Sequence, residues 1–389
     1  MQFRKRFLAL STVIAAALVT GACGTDQSPQ EVEPAAQSPA SVSEAIVATH
    51  DGGIYVIDGE TLELVEDIEL EGFNRLNPAG DDRHVMVSKS DGFQVLDAAA
   101  PELTDVEVPG PKPGHVVRHA GKTVLFSDGT GEVTTFDSHA LGDGEPETEV
   151  YTAAEPHHGV AIELENGEFI VTLGNEEERV GMMVLDEHRH EIARSEECPG
   201  VHGEATAKDE VVVIGCEDGV LIYRDGEITK VQSPTEYGRI GNQAGSDVSP
   251  IVLGDYKKDP DAELERPEQI SLIDTAAGSL ELVDLGTSYT FRSLARGPEG
   301  EALVLGTDGR IHVIDPVRAE VVRTIPVTGA WEEPLEWQQP RPAIFVRDGT
   351  AFVSDPNKKE IYAIDLASGK NVGTVSLPEA PNELSGVSH

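Results

Sequence analysis

The sequence predicts an all-β chain folded as a single β-propeller of eight blades, and three observations lead there. A unit made of a turn, a strand of alternating apolar residues and, usually, a closing aspartate occurs eight times, from Asp51-Gly52-Gly53-Ile54-Tyr55-Val56-Ile57-Asp58 to Glu360-Ile361-Tyr362-Ala363-Ile364-Asp365. Most units follow another apolar run, such as Thr123 to Ser127, Val211 to Gly215 or Ala302 to Gly306, so that strand, Asp-Gly turn and strand make a hairpin. The units recur at roughly forty residues, the length of one four-stranded blade. Glycine is plentiful at 39 residues and aromatic residues make up only 5%, a balance that favours short strands and tight turns over helices.

The start of the chain reads differently. Arg4, Lys5 and Arg6 precede an apolar run from Phe7 to Val19, and Thr20-Gly21-Ala22-Cys23 follows. A basic head, a short apolar core and small residues describe a secretory signal rather than a membrane span. The cysteine directly after Gly-Ala resembles the lipidation site of bacterial lipoproteins. Residues 1–22 are therefore expected to be a signal peptide and Cys23 the lipidated first residue, anchored on the outer face of the cytoplasmic membrane in the cell envelope. An ordinary cleaved signal is the plainer alternative, since Thr20 stands where Leu is usual. Residues 23–43, rich in Gln, Pro, Ser, Glu and Ala, cannot bury enough surface to offset ordering and are expected to be a disordered tether. Residues 44–389 are then the propeller domain.

Within that domain the closing aspartate opens a further turn, as in Asp58-Gly59-Glu60-Thr61, after which an outer strand follows. The first unit, at Ala45, has no room for an inner strand of its own. The C-terminal run Glu383-Leu384-Ser385-Gly386-Val387-Ser388-His389 is placed to supply it, closing the ring between the N- and C-terminal strands. The sixth unit is irregular around Lys257 to Pro267, which makes seven blades the alternative count. A pair of β-sandwiches fits the single period less well.

A net charge of −41 argues against nucleic acid or anionic lipid head groups as partners, so contact with a membrane is expected only through the lipid anchor. The acidic surface would raise the local cation concentration, although adaptation to a salty habitat would produce it too. A monomer is the expected state. With Cys23 at the anchor, Cys198 and Cys216 remain, flanking a histidine segment. In an exported protein they are expected to oxidise, and a bridge would staple the loop that carries His202; a thiolate metal pair is the alternative.

Three histidine segments mark the candidate site. His115, His158 and His202 are 43 and 44 residues apart, each at the head of a short strand-like run. At blade spacing, equivalent positions converge on the central channel. Three imidazoles are a natural set for Zn²⁺ and leave one position open. Continuing the same step of about 45 residues reaches Asp247, the expected fourth ligand, and then Arg292. Glu204 should share a face with His202, as a group that orients it or an alternative ligand. His157 should point away from His158 unless the strand begins there, and His119 should lie deeper along the face of His115. His50, His84, His139, His188, His190 and His312 are read as solvated.

The segments Pro156-His157-His158-Gly159-Val160-Ala161, Cys198-Pro199-Gly200-Val201-His202-Gly203-Glu204 and Gly215-Cys216-Glu217-Asp218-Gly219-Val220 resemble those of the AztD family of zinc metallochaperones. These are exported β-propellers that pass zinc to the solute-binding protein of an ABC importer. The resemblance implies a zinc site near the propeller centre, a Cys198–Cys216 disulfide and the same kind of partner. Family members often carry a mobile N-terminal segment rich in His and Asp, whereas Gly24 to Ser43 contains no histidine. Release is then expected from the ring itself.

The leading expectation is a non-enzymatic zinc carrier whose affinity falls as acid protonates its imidazoles. A zinc-dependent hydrolase or lactonase, with Glu204 or Asp247 as base, would use the same three histidines and open position, but no independent nucleophile or oxyanion pattern accompanies them. A propeller that binds protein without metal is the third reading.

Overall fold

The repeated aspartates explain why each hairpin continues into a further strand. In the computed structural model, which describes residues 41–388, Asp58 Oδ1 accepts the backbone N–H of Thr61 at 2.8 Å, and Asp97, Asp274 and Asp365 accept those of Ala100, Ala277 and Ser368 in the same way. Each carboxylate thereby holds the turn that leads into the outermost strand. The proposed signal peptide and most of the tether lie outside the described residues.

The result is eight four-stranded antiparallel sheets, the blades of a propeller. Blade 2 is typical, running outward from the channel as Arg75–Pro78, His84–Ser88, Gly92–Asp97 and Glu102–Pro109. Blades 3 to 8 begin with inner strands Pro113–His119, Ala161–Glu163, His202–Ala207, Gln243–Ala244, Leu294–Arg296 and Ile344–Arg347. Alternation along the middle strands sends apolar side chains to both faces, and the core lies between neighbouring blades. Phe126, Val160, Phe169, Met182 and Ile214 are buried in one such cluster. Each such side chain contributes about 1.5–3 kcal/mol.

Blade 1 closes the ring as the sequence implies. Its inner strand is Leu384–Gly386, paired antiparallel to Ile46–His50 with Val47 opposite Ser385. Arg347 of blade 8 ties down both ends of the propeller. Its guanidinium donates to the carbonyls of Glu44 at 2.6 Å and Val387 at 3.3 Å, and its Nε pairs with the Glu44 carboxylate at 3.1 Å.

The irregular sixth unit is a full blade with a short inner strand. Residues 255–268 bridge its two middle strands, Ile251–Gly254 and Gln269–Asp274. Tyr289 anchors this excursion, its hydroxyl accepting Tyr256 N–H at 2.9 Å and donating to Gln269 O at 2.6 Å. The count is therefore eight, not seven.

Candidate metal centre

His115, His158 and His202 enter from three consecutive blades at the irregular heads of their inner strands. His115 sits in a register shift between Pro113 and Val116, His158 precedes Ala161–Glu163, and a second shift separates His202 from Glu204. These breaks take the imidazoles out of the regular alternation and turn them to one point. Two glycines make the breaks possible. A Cβ on Gly114 would stand 2.1 Å from Asp128 Oδ1, and Gly203 has φ +71° with Gln243 Oε1 only 2.4 Å from where its Cβ would be.

One nitrogen from each ring lies within 4.8 Å of the others, and the ring centroids are 4.9 to 5.2 Å apart. His158 Nδ1 is 2.5 Å from Asp128 Oδ2, and His202 Nδ1 is 2.6 Å from the Gly241 carbonyl. Both acceptors require a proton on Nδ1, which leaves the two Nε2 lone pairs converging at 3.0 Å. This is the tautomer that a zinc ligand needs, set by acceptors behind the ring. The Gly241 carbonyl is itself fixed, because Asp255, which is 2% exposed, accepts Gly241 N–H at 2.6 Å and Asn242 N–H at 3.0 Å.

Burial, then the charges of neighbouring His158 and Arg239, pushes His202 down to about 3. Burial likewise drives His115 well below the usual imidazole range, with His202, His158, Arg75 and Arg179 adding repulsion. Neutral imidazoles are the form that binds metal. The site opens into a cavity of about 1060 Å³ lined by His158, His202, Asp128, Glu217, Arg179 and Arg239, among others.

The disulfide between Cys198 and Cys216 is present, with both residues fully buried. It fixes the segment before His202 to the second strand of the same blade, so these sulfurs are not free thiolates.

Asp247 does not join the three histidines. His202 pairs with Gly215, and the equivalent pairing in blade 6 is Gln243 with Gly254. The inner-strand step is therefore shorter than 45 residues here, and Asp247 falls in the turn beyond Gln243–Ala244. It lines a second cavity, of about 840 Å³, with Arg118, His119 and Glu204. The register shift at Gly203 likewise carries Glu204 away from His202 and into that second cavity. Burial raises its carboxyl to about 7 there, opposed by its own backbone N–H and by Arg118. His119 lies at the far end of its strand, 2.5 Å from Glu210 Oε1.

His157 points away from His158 as expected. It is 3% exposed, packs edge-on to Phe126 and bonds to Glu155 O and Thr172 Oγ1 at 2.9 and 3.1 Å. Three histidines read as solvated are not. His84 is buried against Asp81 at 2.6 Å, His312 is buried near Asp308 at 3.1 Å, and His50 stacks on Tyr55 while bonding Asp67 at 2.8 Å. In each case a nearby carboxylate compensates the polar ring. His139, His188 and His190 are exposed. Arg292 pairs with Glu383 in a buried contact.

Sequence reasoning missed Asp128, Gly241, Arg179 and Arg239. Asp128 was legible only as the Asp of a hairpin turn. Its place at the end of the strand beside Gly114-His115 was the signal that could have found it.

Fold and site together define an eight-bladed β-propeller with a three-histidine centre opening into a cavity between blades 3 to 6. Comparison with known proteins bears out the resemblance read from the sequence: the chain is similar to AztD in sequence and shares its propeller fold. It is 28% identical over 297 residues to the zinc chaperone AztD of Citrobacter koseri, covering 74% of this chain and 68% of that protein. The crystal structure of Citrobacter koseri AztD superposes with a TM-score of 0.76 at 24% identity, covering 88% of this chain and 96% of the other. Apo AztD from the same organism gives 0.74, at 24% identity over 88% and 97% of the two chains. The dihydro-heme d1 dehydrogenase NirN shares the fold more distantly, with a TM-score of 0.60 at 14% identity over 92% and 78%. No protein-family model matches the chain.

Proposed function

We propose that this protein is a zinc carrier of the cell envelope, which binds Zn²⁺ through His115, His158 and His202 and delivers it to the solute-binding protein of an ABC zinc importer. The observation that carries the reading is the convergence of three imidazoles from three blades, two of them oriented by Asp128 and the Gly241 carbonyl. The similarity to a protein named as a zinc chaperone supports the same cargo. Three neutral nitrogen donors suit Zn²⁺, and a position left open to the cavity allows the metal to leave. The role is that of a carrier, not a catalyst. Export through the leader and a lipid anchor at Cys23 would hold the propeller, as a monomer, where such an importer collects its metal.

The test is zinc stoichiometry and affinity of the purified protein beside a variant carrying His158→Ala and His202→Ala. One tight zinc in the parent, lost in a variant that keeps its β-sheet circular dichroism, supports the site. Unchanged zinc in the variant rejects it. Transfer is then read by mixing the zinc-loaded protein with the candidate solute-binding protein, separating the two and assaying metal in each.

A further inference from the structure

Two guanidinium groups share the cavity with the histidines. Arg179 begins the strand Arg179–Leu185 of blade 4, and Arg239 lies just before Ile240-Gly241 in blade 6. Most of the described arginines pair with a carboxylate, as Arg83 does with Asp97 and Arg341 with Glu333. Among the described residues, neither Arg179 nor Arg239 makes an ion pair or a side-chain hydrogen bond, and Arg179 Nη1 is buried without a partner. The Arg239 guanidinium lies over Gly241, 2.5 Å from where a Cβ on that glycine would stand, beside the peptide that holds His202.

A zinc ion on three neutral imidazoles adds two positive charges to this setting. Of the carboxylates in the cavity wall, Asp128 is committed to His158. Glu217, Glu196 and Glu176 to Glu178 line the same cavity; Glu217 and Asp128 attract Arg179 at a distance, but no carboxylate hydrogen-bonds to either arginine. Two guanidinium groups that bond to none of these carboxylates, one with an unpartnered N–H donor, thus share the cavity onto which the histidines open. A carboxylate has two oxygens, one to serve a metal and one to accept from a guanidinium.

We propose that a carboxylate from outside the chain binds together with zinc, held between the metal on His115, His158 and His202 and the guanidinium groups of Arg179 and Arg239. The inference rests on the zinc-carrier reading. The carboxylate belongs either to a free small anion or to an acidic side chain of the protein that receives the metal. Cargo and counter-anion are then coupled: each strengthens the binding of the other by the same factor.

The full-length protein is loaded with Co²⁺, whose visible absorption reports its ligands, and titrated with acetate or with a short neutral peptide bearing one aspartate. The spectrum should change with both, and saturating acetate should tighten Zn²⁺ binding by about tenfold. Arg179→Gln should bind zinc more tightly than the parent without acetate and lose most of the response, and Arg239→Gln should weaken it independently. Saturation by the peptide at far lower concentration than acetate assigns the carboxylate to a protein partner; saturation at similar concentrations assigns it to a free anion. A spectrum unchanged by either probe, or a full response in the doubly substituted protein, overturns the proposal while leaving the carrier reading in place. Failure of the parent to bind metal overturns both.

Discussion

The Nε2 atoms of His158 and His202 lie 3.0 Å apart, while their Nδ1 atoms point outward to Asp128 and to the carbonyl of Gly241. Two lone pairs directed at each other across that distance repel unless a proton or a cation lies between them. The protein supports this arrangement from behind, with a carboxylate on one ring and a peptide fixed by a buried aspartate on the other. A metal ion resolves the repulsion for all three rings at once, which is why the geometry favours a cation site over a structural histidine cluster.

Asp128 should therefore control affinity without touching the metal. Asp128→Asn keeps the side-chain shape but removes the charge that fixes the His158 tautomer. Zinc affinity, measured by competition with a chromophoric chelator, should fall by about 10–100-fold. The thermal midpoint of the metal-free protein should move little by comparison. A variant that binds zinc as tightly as its parent would show that Asp128 plays no part in orienting the ring.

Acid should destabilise the metal-free protein through the buried imidazoles. His202 titrates near 3 in the folded state, lowered first by burial and then by His158 and Arg239, against 6.5 when unperturbed. Above pH 6.5 it is neutral in both states and contributes no pH dependence. Between 6.5 and about 3 the unfolded chain takes up a proton that the native state refuses, so stability falls as pH drops, by up to about 1.4 kcal/mol per pH unit for this group. Urea midpoints at pH 7.5 and 5 should differ more in the parent than in His202→Gln. Equal differences in the two proteins would mean that His202 does not resist protonation in the fold.

The disulfide should matter to the site as well as to the fold. Cys198 and Cys216 are 18 residues apart in the chain, and their bridge restricts the unfolded state over the loop that presents His202. Replacing both by Ser should cost about 3 kcal/mol in denaturant unfolding. Zinc should also bind more weakly, because the segment from Pro199 to Val201 loses its tie to the second strand. Reducing the parent protein should reproduce both effects, and reduction without either effect would refute the assignment.

What the sequence revealed and what it hid follow from the same physics. Blade count, ring closure and the convergence of His115, His158 and His202 were legible because short-range turn chemistry and a period near forty residues determine them. Asp247 and Glu204 were misplaced because a one-residue shift at Gly203 and a truncated inner strand in blade 6 break that period, and neither leaves a compositional trace. Asp128 and Asp255 looked like ordinary turn residues, since their roles arise from which strand end lies beside which histidine. The buried rings of His84 and His312 were misread because each has a carboxylate partner a few residues away, and that pairing makes burial tolerable.

Arg347 provides the test of ring closure. Its side chain is 9% exposed and reaches both ends of the propeller, bonding the carbonyls of Glu44 and Val387 where they meet at the Gly386 end of the short Leu384–Gly386 strand. That strand has only three paired residues, so the arginine supplies charge-assisted hydrogen bonds where the ladder is short. Arg347→Met retains much of the apolar stem and leaves the carbonyls without their donor. The loss should be roughly 2–4 kcal/mol, and it should be local as well as global. Hydrogen exchange at residues 384–387 should accelerate more than at the middle strands of blade 4, on the far side of the ring. Uniform acceleration everywhere would indicate that the seam is no weaker than the other blades, and that the ring is not held at this point.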